Sequence, residues 1–227
     1  MAFQRRLPAD GLLSLGLDPT AWRNATDKRR TVKCFRRDGI PHRDGIPHME
    51  TVALSGRDPS TAPEAFERLG RDVWARPTVG AGGTDVFHLT TRRQLDVAVS
   101  YFAASGQDWL LSRDARNITA DGRRRQFRVV VLHNQVLRVC EHLQANPDAP
   151  CNESQGAVST VLPVGQLPSR YHRLAVAATR SLGLPFGGVD LATENGSVVF
   201  EVNVHPMLDV PGGLESVALP YVKAHFG

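Results

Sequence analysis

The sequence predicts an α+β protein of two lobes, each a small antiparallel sheet backed by helices. Strand-like segments turn back on themselves as hairpins, and helical periodicity comes in groups between the hairpins rather than after every strand. A glycine-rich hairpin loop, Gly80-Ala81-Gly82-Gly83-Thr84, falls in the first half of the chain and an acidic hairpin, Asp190 to Asn203, in the second. With 41% hydrophobic and 22% charged residues in a chain of 227, there is enough apolar surface for a core in each lobe, and the composition is not that of a disordered chain.

Residues 1–25 read as an irregular lead-in, because Pro8, Gly11, Gly16 and Pro19 interrupt any period. The first lobe is expected over residues 26–107 and the second over 108–227. A helix is predicted from Thr26 or Asp27 to Arg37, stopped ahead of Gly39 and Pro41. The hexapeptide RDGIPH then occurs in tandem at 37–42 and 43–48; its Gly-Ile-Pro chemistry is that of a turn, so one copy is expected to connect and the other to lengthen a surface loop. Ser60 or Thr61 precedes a helix opened by Pro63, with Ala62, Ala65, Phe66 and Leu69 on one face and Gly70 at its end.

Asp72–Arg76 and Asp85–Leu89 read as the strands flanking the glycine loop. Leu95, Ala98, Val99 and Phe102 recur at helical spacing behind Thr90 or Thr91, and Gly106 stops that helix. A strand at Trp109–Ser112, a strand pair across residues 126–141 and a loop over 143–157 follow. Leu167, Tyr171, Leu174, Ala178 and Leu182 mark a helix closed by Gly183, ahead of the final hairpin, Phe186–Ala192 with Val198–Val204, and a terminal helix near Leu214–His225.

No apolar run approaches the roughly 18 residues that cross a bilayer, and Pro8, Asp10 and Gly11 break the opening segment where a signal peptide is continuous, so a cytoplasmic protein without a membrane partner is expected. Cys34, Cys140 and Cys151 have neither metal-ligand spacing nor an even count for disulfides. The net charge of +4 suits an anionic ligand. The run Arg123-Arg124-Arg125 reads as a solvated loop entering a strand, and with no aromatic interleaving it does not argue for nucleic acid.

The acidic hairpin carries the chemistry. Asn195-Gly196 is the signature of a two-residue turn. That turn sets Asp190 directly opposite Glu201 and Asn203 on the same face, with Val189, Leu191, Phe200 and Val202 on the other. Two facing carboxylates repel and call for positive charge between them. Magnesium fits, because it takes oxygen ligands from one or two carboxylates and completes its shell with phosphate and water. Arg128 lies on a strand with apolar neighbours on both faces, where a guanidinium favours an anionic partner. The glycine loop can bring backbone N–H groups onto phosphate oxygens, although no Gly-Lys-Ser/Thr follows it.

The segment GLPFGGVDLATENGSVVFEVNVHP, with Lys28 in NATDKRRT and VWARPTVGAGGTDV between them, resembles the ATP-grasp superfamily, nearest to the ribosomal-protein glutamate ligases and related carboxylate–amine ligases. The resemblance implies an ATP-grasp fold whose two α+β lobes enclose a nucleotide cleft. It implies Asp190, Glu201 and Asn203 as ligands of magnesium, with manganese as a substitute, and ATP as the nucleotide. Lys28, Arg76, Gly80, Gly82 and Gly83 become nucleotide contacts and Arg128 the catalytic, charge-stabilising arginine. The implied activity is ATP-dependent amide or peptide bond formation, in which a small-molecule or peptide carboxylate is activated as an acyl phosphate and captured by an amine. The alternative is an ATP-grasp module that binds nucleotide or a partner without ligating.

The sequence departs from the family pattern at Arg76, which stands for a lysine, at Asp85, which stands for the loop's third glycine, and at Gln126, which stands for an aspartate. It shows no glutamate in register at Asp108-Trp109-Leu110-Leu111. The family's N-terminal domain, which helps to bind the acceptor, has no counterpart in the short segment ahead of Lys28, so a separate protein is one expected source of it.

Overall fold

A computed structural model describes residues 18–37, 47–80, 82–206 and 212–224. In chain order the elements are α1 (Pro19–Thr26), α2 (Lys28–Arg37), β1 (Thr51–Leu54), α3 (Ala62–Arg68), β2 (Val73–Pro77), β3 (Phe87–Leu89), α4 (Arg92–Ser105) and β4 (Trp109–Arg113). They continue with β5 (Arg124–Leu132), β6 (Gln135–Gln144), β7 (Val158–Leu162), α5 (Ser169–Leu182), β8 (Phe186–Ala192), β9 (Val198–Asn203) and α6 (Leu219–Lys223). A four-stranded sheet has the order β1-β4-β2-β3 and a five-stranded sheet the order β7-β6-β5-β8-β9, with antiparallel pairing throughout. The α+β class with two small sheets is as expected. The duplicated hexapeptide falls mainly on residues 38–46, outside the described residues.

Strands β1 and β7 carry no clear signal in the sequence. Thr51–Leu54 is too short to show alternation, and Ser159-Thr160 interrupts the apolar pattern of β7. Both are nonetheless held by a longer neighbour, β1 by β4 and β7 by β6.

The smaller sheet packs Leu54, Phe66, Val73, Leu95, Phe102 and Trp109 into one core. The larger core joins Phe127, Val129, Val189, Leu191 and Tyr171 to Ala21 and Ala25 of α1 and to Cys34 and Phe35 of α2. Of the segment from residue 26 expected in the first lobe, Cys34 and Phe35 therefore pack into the core of the larger sheet, while Arg36 bonds the Thr51 carbonyl of the smaller one, and the lead-in is helical from Pro19. Pro19 reads in isolation as a breaker, but it opens α1 directly behind Asp18, whose carboxylate accepts the Thr20 N–H at 2.8 Å. Proline lacks only a donor that the first helical position would leave unpaired anyway.

Helix α1 ends at Asp27, whose extended backbone (φ −94°, ψ 106°) turns the chain into α2. The corner brings the Lys28 N–H within 2.8 Å of the Thr78 carbonyl of the other lobe. In the smaller lobe, α4 begins with a capping box in which the Thr91 hydroxyl accepts from the Gln94 N–H and the Gln94 side chain accepts from the Thr91 N–H; it stops at Gly106 in the left-handed conformation (φ 65°).

The lobes are joined at one end by a buried charge cluster. Arg124 on β5 grips Asp114, just beyond β4, with its Nη1 at 3.0 Å and its Nη2 at 2.7 Å, and Asp114 also accepts from Trp74 Nε1 at 3.0 Å and from the Arg116 N–H. His88 adds contacts to Asp72 at 2.9 Å and, across the lobes, to Asp148 at 2.8 Å. The basic run is solvated at Arg123, as expected of the loop, but not at Arg124, which is buried. Arg124 is buried on Asp114, Arg125 meets Glu194 at 2.7 Å and Arg123 meets Asp121 at 2.7 Å.

Burial alone would raise the Asp114 carboxyl, but the Arg124 guanidinium and the N–H donors around it hold it below its ordinary value of 3.8. The stability this contributes is fully present above the unfolded value and is lost as pH falls through the lower folded value. Replacing Asp114 with Asn leaves Arg124 buried without its counter-charge. We expect a loss of about 3 to 5 kcal/mol at neutral pH and a flatter acid limb in the stability–pH curve, read by urea titration from pH 7 to pH 2. Thr91→Ala, by contrast, removes one cap far from the cleft and is expected to cost about 1 kcal/mol in the same titration without pH dependence.

Candidate nucleotide and metal site

Between the lobes runs a cleft of about 850 Å³, and Lys28, Arg76, Gly80, Gly82, Gly83, Arg128, Asp190, Glu201 and Asn203 all line it. The sequence distributes these residues from α2 to β9; the fold brings them to one space.

The floor is the face of the larger sheet. Asp190 on β8 pairs with Glu201 on β9, and Gly188 pairs with Asn203, as expected. The turn has Asn195 and Gly196 at positive φ (49° and 97°) and the Ser197 N–H bonded to the Glu194 carbonyl at 3.3 Å, but Ser197 is also at positive φ (65°) and the pairs next to the turn are slipped by one residue. The strand between is not regular, however. Leu191 pairs with Val199 and Ala192 with Val198, so a bulge falls next to Asp190. Its effect is to exchange the expected faces of two residues: Val199 takes the place in the core predicted for Phe200, and Phe200 lines the cleft.

Asp190 is 2% exposed, and its charge is met by Arg128 directly across from it on β5. Arg128 Nε lies 2.7 Å from one carboxylate oxygen and Nη2 lies 2.8 Å from the other, while Asn203 Nδ2 donates to the second at 3.0 Å. Asp190 raises the Arg128 guanidinium still further above its ordinary value, with burial opposing. A Cβ on Gly188 would stand 2.8 Å from Pro206 Cβ, so a glycine there lets the segment after β9 lie close against β8, while Arg128 Cδ at 3.6 Å is at ordinary contact distance. Glu201 faces Lys28 Nζ at 3.8 Å. The positive charge that the opposed carboxylates call for is thus supplied here by Arg128 and Lys28, so their repulsion by itself does not require a metal.

Lys28 Nζ also donates to the Gly80 carbonyl at 2.8 Å, and burial holds its ammonium below the ordinary value while Glu201 pulls the other way. Arg76, at the end of β2, has its Nε enclosed without a hydrogen-bond partner; burial lowers this guanidinium and Glu201 opposes. A buried unpaired guanidinium N–H is costly, and an anion entering the cleft would satisfy it. Asp85 is not a negative charge directed at the cleft. With φ 60° it turns its carboxylate to Tyr101 on α4, whose hydroxyl donates at 2.5 Å. At the linker, the buried Trp109 stacks on Phe102, and the cleft is reached instead by Ser112 and Arg113.

Residues not singled out from the sequence also line the cleft. Cys140 lies opposite Arg128, and no disulfide joins it to Cys34 or Cys151. His142 has Nδ1 at 2.5 Å from Ser159 Oγ, and burial lowers its imidazole. Asn152, Glu153 and Ser154 come from the turn between β6 and β7. Alternation along β6 from Cys140 would have found His142, but a bulge at Val130/Val131 separates that register from the β5–β6 turn. No helix among the described residues is long and apolar enough to cross a membrane.

The donor set on β8 and β9, two carboxylates and an amide, suits a hard divalent cation, and the cations around it suit phosphate. Comparison with known proteins agrees with this geometry. The RimK-like ATP-grasp domain model matches residues 25–212. The chain is 25% identical over 186 residues to a probable alpha-L-glutamate ligase of Enterobacter sp. (strain 638), covering 82% of this chain and 57% of that protein. It is 26% identical over 191 residues to a protein of the same description from Klebsiella pneumoniae (strain 342), with the same coverage of 82% and 57%. The chain thus spans 57% of the length of these curated relatives.

Among solved structures, the D-alanine–D-alanine ligase from Bacillus anthracis complexed with ATP is similar at a TM-score of 0.70 and 16% identity, over 98% of this chain and 68% of that one. The ATP-grasp ligase PsnB complexed with minimal precursor is similar at a TM-score of 0.63 and 18% identity, over 92% and 61%. The fold is that of the ATP-grasp ligases, and over most of its length the chain belongs to the RimK-like ATP-grasp domain family.

Proposed function

We propose that the cleft binds ATP and that the chain catalyses ATP-dependent joining of a carboxylate to an amine through an acyl phosphate. The observation that carries the reading is the convergence of Lys28, Arg76 and Arg128 with Asp190, Glu201 and Asn203 in one cleft, with the Arg76 Nε enclosed and unpartnered. The family match and the glutamate-ligase relatives support the same class of reaction. Both a small carboxylate and one on a peptide remain within it.

In this reading Asp190, Glu201 and Asn203 would hold magnesium, or manganese in its place, which would offset phosphate charge when bound. Arg76 binds phosphate through its unsatisfied N–H. Lys28 exchanges its contacts with the Gly80 carbonyl and Glu201 for a phosphate oxygen, which restores the charge partner its buried ammonium needs. Arg128 fixes the Asp190 carboxylate through two hydrogen bonds and adds positive potential where negative charge develops in transfer, a contribution that is largest in a site closed to water.

ADP release that requires both a carboxylate and an amine is the expected result when the wild-type chain is screened against amino acids and short peptides. Nucleotide binding without turnover would favour the non-ligating module. For the metal, magnesium alone should leave the melting temperature almost unchanged, and magnesium with ATP should raise it. Glu201→Gln should lower the ligand-free melting temperature, because Lys28 and Arg76 lose their counter-charge and this outweighs relief of the repulsion from Asp190. It should weaken magnesium-dependent ATP binding by at least about tenfold. Equal affinity in calorimetric titration of magnesium ATP into both proteins would remove Glu201 from the metal set.

A further inference from the structure

The glycine loop of the smaller lobe is held from the larger lobe at a second point besides Lys28. Ser154 Oγ, in the turn between β6 and β7, lies 2.9 Å from the Gly82 carbonyl and donates to it. The backbones meet closely there. A Cβ on Gly83, which has a φ of 71°, would stand 3.3 Å from Asn152 Cβ and 3.5 Å from Gln155 Cγ. Gly83 is therefore required twice, for its left-handed backbone and for its lack of a side chain against the turn.

The turn is itself fixed. Asn152 Oδ1 accepts the Ser154 N–H at 2.9 Å and caps the short helical turn Glu153–Gln155. The same Oδ1 lies 2.8 Å from Ser154 Oγ. A serine hydroxyl has one hydrogen, so it donates either to Asn152 within its own turn or to Gly82 across the cleft. Because the peptide is planar and trans, turning the Gly82 carbonyl toward Ser154 directs the Gly83 N–H the opposite way. One hydroxyl thereby sets the direction of a backbone donor in the loop.

We propose that Ser154 is a positioning residue for the nucleotide, its hydroxyl fixing the Gly82–Gly83 peptide so that the loop presents its N–H donors to phosphate in a set orientation. The inference rests on the reading of the cleft as a nucleotide site. The hydroxyl touches no reacting atom. The bond competes with the internal one to Asn152, so the attachment is reversible, as a loop that must admit and release nucleotide requires.

Two measurements on the full chain test it, with Ser154→Ala as the disruptive variant and Ser154→Thr as the one that keeps the hydroxyl. Without ligand, nitrogen-15 relaxation of the Gly82 and Gly83 amides should show lower order parameters in Ser154→Ala than in wild type, returning toward wild type in Ser154→Thr. Calorimetric titration with magnesium ATP should show a loss of affinity of about two- to tenfold in Ser154→Ala alone, the range expected for one hydrogen bond, at an unchanged melting temperature.

Equal order parameters in Ser154→Ala and wild type would overturn the proposal. So would a looser loop in Ser154→Ala with ATP affinity equal to that of a wild-type chain that binds ATP. A wild type that binds no ATP would overturn the cleft reading and the positioning role with it; because the order parameters are measured without ligand, that failure is distinguishable from a loop that Ser154 does not hold.

Discussion

The Arg128 guanidinium donates to both oxygens of Asp190, directly opposite it on the neighbouring strand, and the arrangement of the cleft floor follows from that contact. It gives a carboxylate that is 2% exposed, in the centre of a sheet, a partner of opposite charge. With Asp190 occupied, Asn203 donates to one of its oxygens and Glu201 is left to Lys28. Such a pair contributes little net stability compared with apolar side chains of similar size, yet loss of one partner costs about 3 to 5 kcal/mol. Arg128 and Asp190 are therefore tied to each other.

The charge balance explains how so many ionic groups share one cleft. Arg76, Lys28 and Arg128 surround Glu201 and Asp190, and the excess is positive. An anionic ligand would complete the balance and a bare cation would not, so the proposed metal and phosphate sites would be two parts of one arrangement. Asp85, whose charge would have worked against phosphate, is held by Tyr101.

Much of this was legible in the sequence. Asn195-Gly196 marked the hairpin that sets Asp190 opposite Glu201, although the strands slip by one residue beside the turn and the bulge next to Asp190 restores the register, and the glycine loop and helix stops followed from backbone freedom. What was not legible depended on local irregularity or on distant partners. The bulge that sends Phe200 to the cleft and Val199 to the core leaves the turn signal intact and so gives no sign of itself. Pro19 looked like an interruption because its use as a helix opener depends on Asp18. Arg124 looked solvated because Asp114, which buries it, lies in another lobe. Ser154 is one serine in a polar loop until Gly82 is known to lie beside it.

Helices α1 and α2 precede the smaller lobe in sequence yet pack into the larger one. The path of the chain thus leaves one core unfinished, completes another, and returns. The smaller core draws its buried members only from the stretch between Leu54 and Leu111 and can close as soon as that stretch has been made. Ala21, Ala25 and Phe35 must wait for Tyr171, Val189 and Val202, which are synthesised more than a hundred residues later. Until then the apolar faces of α1 and α2 have no native cover. The two lobes therefore differ in when they can fold on the ribosome, and the early helices are the part of the molecule most in need of protection from aggregation in that interval.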